Sequence, residues 1–216
     1  RQARSMGVLA ISGLSMLAIQ ALRAQEIWTG YRFSDRDKHK AVDFVRKIVM
    51  KRRLNDKYGK SNIVLTGFMG SGKSTVVRLL ADKLDMNLID MDEEIVKKAG
   101  MSIPEIFRLK GEEGFRAMET DVELELCSVT NSVIACGGGA VTVPATASAL
   151  KDAGIVVFLN ASAEKVLSNL SGSVEERPLL QADNPIKAVY DLYGKRLPVY
   201  HSVCDVSVPS DGTPEE

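Results

Sequence analysis

Eight consecutive residues constrain this chain more than anything else in it: Gly67-Phe68-Met69-Gly70-Ser71-Gly72-Lys73-Ser74. A short β-branched run, Ile63-Val64-Leu65, stands before them, and Thr75–Leu84 has helical character behind them. A G-x-x-x-x-G-K-S segment in that setting reads as the turn between a strand and a helix. Its glycines let the backbone curl around phosphate oxygens, and the helix N-terminus supplies N–H groups and partial positive charge. Gly70, Ser71, Gly72, Lys73, Ser74 and Thr75 would then cradle the phosphates of ATP. Lys73 would reach the β- and γ-phosphates, and the Ser74 hydroxyl would hold Mg²⁺. A glycine-rich turn that matches by chance is the competing reading. The strand before, the helix after and the Lys73-Ser74 pair weigh against it.

The chain beyond the motif keeps the same rhythm. Leu88-Ile89, Ser132–Cys136, Ile155–Leu159 and Val203–Val208 read as further strands. Ile103–Leu109, Glu112–Leu126 and Ala161–Leu170 read as helices between them. Strands alternating with helices imply an α/β fold: three layers, with a central parallel five-stranded sheet flanked by helices. There is no internal repeat and no low-complexity tract.

The 216 residues carry no net charge, but the balance conceals an asymmetry. Residues 1–59 hold thirteen Lys and Arg against five Asp and Glu, a net +8, and residues 60–216 hold the opposite −8. A boundary there separates a helical N-terminal extension, 1–59, from an α/β domain, 60–216. Within the extension, Met6–Leu22 is an uncharged run flanked by Arg1, Arg4 and Arg23. It is borderline for a membrane span and suits a targeting segment, while a buried amphipathic helix is the plainer alternative. Asp35–Lys57 has apolar residues at helical spacing among Arg46, Lys47, Lys51, Arg52 and Arg53. That pattern fits a basic amphipathic helix able to contact an anionic membrane, or equally a solvated linker helix. No nucleic-acid motif accompanies the charges, so no nucleic-acid partner is expected. Cys127, Cys136 and Cys204 show neither metal-ligand spacing nor a disulfide framework. The closing Thr213-Pro214-Glu215-Glu216 has the form of a helix start, which leads to the expectation that the C-terminus is truncated.

Further motifs follow the phosphate loop. Asp90-Met91-Asp92 falls at the end of the second strand, where open α/β sheets bind ligands. On a strand its two carboxylates would share one face. Then come Phe115-Arg116-Ala117-Met118-Glu119, the triplet Gly137-Gly138-Gly139 after a strand, Arg177-Pro178-Leu179-Leu180, and Arg196-Leu197-Pro198-Val199-Tyr200. Together, in this order, these six motifs resemble the shikimate kinases, and the resemblance spans Ser61–Val208.

The resemblance implies a P-loop kinase that phosphorylates the 3-hydroxyl of shikimate with ATP and Mg²⁺, within aromatic amino-acid (chorismate) biosynthesis. Arg116 and Arg196 would clamp the substrate carboxylate, as planar guanidinium forks do, and Glu119 would hold Arg116. Gly137, Gly138 and Gly139 would bring backbone N–H groups to a substrate hydroxyl. Asp92 would orient the attacking hydroxyl, and Asp90 with Ser74 would serve the metal. Arg177 would reach the phosphates from a mobile lid, Ser171–Asn184. The kinase domain would be monomeric. A targeting extension on such an enzyme fits a plastid (chloroplast), with a cytoplasmic home as the alternative. One position departs from the family: Leu170 stands where an arginine usually stacks on adenine, and Ser168 and Asn169 do not supply one. Weaker ATP binding is the expectation. Two other functions compete: a related kinase for gluconate or a nucleoside monophosphate, and a non-catalytic ligand-binding domain of the same fold.

Overall fold

A computed structural model of the chain describes residues 13–126, 128–170 and 184–213. Cys127, Arg177 with most of the anticipated lid, the first half of Met6–Leu22 and Pro214–Glu216 lie outside these residues. The chain divides into two compact units, 1–57 and 58–216.

The first unit is helical. Helix α1 (Gly13–Thr29) ends where Gly30 turns left-handed. The Ser34 hydroxyl accepts from the Asp37 N–H while Asp37 accepts from the Ser34 N–H, a reciprocal cap that starts α2 (Asp35–Tyr58). Ile27 and Trp28 are exposed. No helix among the described residues is long and apolar enough to cross a membrane.

In the second unit five strands form one parallel sheet in the order β2-β3-β1-β4-β5. They are β1 (Asn62–Thr66), β2 (Asn87–Asp90), β3 (Ser132–Ala135), β4 (Gly154–Asn160) and β5 (Val206–Pro209). Between them run α3 (Lys73–Leu84), α4 (Met91–Ala99), α5 (Ile103–Leu126), α6 (Pro144–Ala153), α7 (Ala163–Leu170) and α8 (Pro185–Val203). Val64, Ile134 and Val156 lie side by side across β1, β3 and β4, all fully buried. Strands covered on both faces need such unbroken apolar runs. The register also aligns the strand ends. Asp90 pairs with Ala135 and Leu65 pairs with Ala135, so the segments after β1, β2 and β3 leave the same edge of the sheet.

Three elements differ from the sequence reading. The helices expected at Ile103–Leu109 and Glu112–Leu126 run together, broken only by left-handed Gly111. The last strand begins at Val206, because α8 continues through Val203. Asp205 then uses its N–H and its carboxylate on the carbonyl and N–H of Val156, setting the register of β5. Most consequentially, β2 stops at Asp90 and α4 starts at Met91, so Asp90 and Asp92 are not alternating strand residues.

Candidate functional site

The phosphate loop sits where its sequence demands. Gly72, at φ +89°, caps α3, a conformation costly for any residue with a Cβ. Its carbonyl accepts from the N–H groups of Thr75 and Val76, which turns the loop into the helix. Lys73 folds back, its Nζ 2.9 Å from the Gly67 carbonyl and 3.0 Å from that of Phe68. Ser71 is buried beneath the loop, while Ser74 and Thr75 are exposed on the first turn of α3.

The end of α7 braces this loop from one side. Asn169 Nδ2 donates to the Gly70 carbonyl at 2.8 Å. Leu170 is fully buried, and its Cγ lies 3.0 Å from where a Cβ on Gly70 would stand. Leu170 therefore packs against the loop at Gly70. Neither contact is visible in sequence, since 99 residues separate Asn169 from Gly70.

Asp90 and Asp92 are brought together by capping. Asp90 is the N-cap of α4 and its Oδ1 accepts from the Asp92 N–H at 3.1 Å. Asp92 is exposed on the first helical turn. No trio of His, Cys, Asp or Glu that could hold a metal occurs among the described residues. Ser74 and Asp90 offer oxygens of the type Mg²⁺ takes, an ion that needs only one or two protein ligands and fills its shell with phosphates and water.

The glycine triplet is packed so closely that side chains there would displace the site. A Cβ on Gly139 would lie 2.8 Å from Cζ and Nη2 of Arg116. One on Gly137 would collide with the Glu119 carboxylate and come 3.7 Å from Asp92 Oδ1. One on Gly138 would stand 3.3 Å from the Met69 N and 3.8 Å from Arg196 Nη1. The triplet thus joins the phosphate loop to four charged groups.

These groups form one electrostatic unit. Arg116 bonds Glu119 through Nη1 and reaches Glu112 at 3.4 Å through Nη2. Its guanidinium lies 5.4 Å from the ring centroid of its neighbour Phe115. Burial disfavours the charged Arg116, but Glu119 and then Glu112 outweigh it and raise its pKa. Glu119 is raised chiefly by burial, opposed by Arg116, augmented by Asp92 and opposed again by Arg196. Arg196 is buried on α8, and its Nη1 donates to the Gly138 carbonyl at 3.2 Å. Tyr200, one turn on, donates its hydroxyl to the same oxygen and stacks on Phe158 with centroids 5.0 Å apart. Two guanidinium groups and one exposed carboxylate thus stand beside a phosphate cradle. Such a site can seat a carboxylate-bearing acceptor against a nucleotide.

Of the residues anticipated from sequence, the structure gathers Asp92, Arg116, Glu119, Gly137, Gly138, Gly139 and Arg196. Glu123, buried one turn beyond Glu119, was not anticipated. Its only signal is an acid on the buried face of an amphipathic helix.

The sequence profile of the shikimate kinase family matches residues 69–216. A shikimate kinase of Caldicellulosiruptor bescii is 43% identical over 150 residues, spanning 69% of this chain and 86% of that protein. One of Geobacter sulfurreducens is 48% identical over 139 residues, spanning 64% and 76%. Among solved structures, the shikimate kinase from Acinetobacter baumannii in complex with shikimate aligns with a TM-score of 0.69 at 41% identity. That alignment covers 73% of this chain and 87% of the other.

Proposed function

This chain belongs to the shikimate kinase family, and we propose that it transfers the γ-phosphoryl group of ATP to the 3-hydroxyl of shikimate. The observation that carries the reading is the convergence of Arg116, Arg196 and Asp92 on a glycine triplet that abuts the phosphate loop. Arg116 and Arg196 hold the acceptor's carboxylate, which turns its hydroxyls toward the loop. The hydroxyl oxygen bonds to the γ-phosphorus as the bridging oxygen leaves with ADP. Asp92 orients that hydroxyl and takes its proton. Lys73 exchanges the Gly67 and Phe68 carbonyls for phosphate oxygens, and its charge offsets the charge that develops there. Arg177 joins it on the γ-phosphate, a role resting on the Arg177-Pro178-Leu179-Leu180 motif. Ser74 and Asp90 would hold Mg²⁺, which would supply charge neutralisation at the phosphates.

The test is ADP release by the full chain with Mg-ATP, comparing shikimate, gluconate and no acceptor. Shikimate-dependent turnover that falls by about 10²–10³-fold or more in Lys73→Ala is expected from loss of a transition-state charge. Turnover with gluconate alone would make the chain a different small-molecule kinase. Shikimate binding without turnover, in a folded protein, would leave a binding domain only.

A further inference from the structure

The face of α5 that presents Arg116 and Glu119 extends one turn further, to Glu123. Residues spaced three and then four apart stack along one side of a helix. Glu123 is 1% exposed, deeper than Glu119 at 3%. Thr146 on α6 faces its carboxyl, and Glu119 and Arg116 act on it along its own helix. From the end of β3 the Cys136 thiol senses it. One turn earlier Glu112 shares Arg116, while Asp92 from α4 and Arg196 from α8 act on Glu119. No step of the transfer uses a carboxyl at this depth. A buried carboxylate is costly, and a second one beside Glu119 would have to share a cation already paired.

We propose that Glu123 is a positioning residue for the acceptor site: standing behind Glu119, it sets how fully Arg116 is neutralised from within and so how firmly Arg116 holds the acceptor carboxylate. This rests on the shikimate kinase reading. While Glu123 is protonated, Glu119 alone balances Arg116 inside the helix face, and the guanidinium keeps its attraction for an anion. Once it ionises, Arg116, Glu119 and Glu123 together are net negative and repel that anion. Burial pushes the Glu123 carboxyl up to about 7, Thr146 pulls it down, Glu119 adds to the rise and Arg116 opposes it. Glu119 is raised as well, so the two acids titrate jointly. Acceptor affinity is therefore highest on the acid side of neutrality and falls as pH rises through about 7. The carboxylate of the acceptor stays ionised over this range, since free carboxylic acids titrate near ~4.

The experiment measures KM for shikimate, KM for ATP and kcat of the full chain from about pH 6 to about pH 8.5, where this acid changes charge and ordinary carboxylates do not. Wild type, Glu123→Gln and Glu123→Asp are compared. In wild type the shikimate KM rises about threefold to tenfold across the range, as a charge several ångströms away in a partly screened site would impose. Glu123→Gln keeps the low-pH KM throughout, Glu123→Asp retains the rise, and KM for ATP does not distinguish the three. Thermal melting gives a second readout. The folded protein keeps the Glu123 proton well above a glutamate's ordinary value of 4.5, so wild type loses stability as pH climbs from there to about 7. Glu123→Gln then melts higher than wild type at alkaline pH and converges on it in acid. A flat wild-type KM, a rise that survives in Glu123→Gln, or a lower alkaline melting point for Glu123→Gln overturns the proposal. Absence of shikimate-dependent ADP release by wild type at every pH would instead remove the functional reading beneath it.

Discussion

The two ends of the site are built by opposite means. The phosphate loop is eight contiguous residues, and its binding groups are mostly backbone N–H groups and one lysine. The acceptor end is assembled from side chains on α4, α5 and α8, converging on a triplet after β3. A contiguous backbone device needs only the right local turns, so its chemistry travels with its sequence. A side-chain device depends on the sheet order placing β1 between β3 and β4 and on helix faces presenting Arg116 and Arg196 inward. The two should therefore fail separately: acceptor-side changes should move KM for shikimate and leave KM for ATP nearly alone.

Arg196→Ala tests that division hardest. Arg196 is 7% exposed, and a charge-assisted hydrogen bond to a carboxylate contributes about 1.5–3 kcal/mol. Shikimate KM should rise on the order of 10–10²-fold in steady-state assays, with Arg196→Lys intermediate because it loses the planar fork. An equal rise in KM for ATP would break the comparison, and the route would be visible: Arg196 bonds the Gly138 carbonyl, and Gly138 abuts Met69 and Gly67.

Gly139→Ala sharpens the same point with a smaller change. Its Cβ would meet the Arg116 guanidinium, while φ at Gly139 is −103°, so backbone strain is not the cause. The guanidinium must shift to make room. We expect a roughly tenfold rise in shikimate KM, about 1.4 kcal/mol, with ATP KM within twofold. An unchanged shikimate KM would show that Arg116 has room to relocate without leaving the acceptor.

How far the sequence disclosed this site follows from the same contrast. Lys73 and its glycines were legible because a strand, a turn and a helix are local. The parallel sheet was legible because buried strands are continuous apolar runs. Arg116 and Arg196 could be assigned only through resemblance, since nothing local brings residues eighty positions apart to one triplet. The pairing of Asp90 with Asp92 rested on the wrong geometry. Strand alternation suggested a shared face, whereas an N-cap hydrogen bond creates the proximity. That error is a boundary error, and Asp90 itself is the missed signal: an Asp before a run of three acids is a strong helix start. The strand expected from Val203 failed similarly, because β-branched valines suit the last turn of a helix when Tyr200 anchors it in the core. Glu123 was illegible for a different reason. A single acid in an amphipathic pattern looks solvated until the fold covers it.

The smallest effect is expected at Asn169, at the phosphate end of the site. Its side-chain amide holds the Gly70 carbonyl at 2.8 Å, and Leu170 beside it fills the space next to Gly70. In sequence, the leucine reads as a lost partner for adenine and a loss of ATP affinity. In the structure it packs against the loop at Gly70, and Asn169 beside it tethers the Gly70 carbonyl. Asn169→Ala removes one exposed hydrogen bond, a net contribution of about 0.5–1 kcal/mol. ATP KM should rise about two- to fivefold in the ADP-release assay, with shikimate KM unchanged. If instead shikimate KM rose with it, the loop would be transmitting its position through Met69 to Gly138, and the backbone and side-chain halves of the site would form a single device.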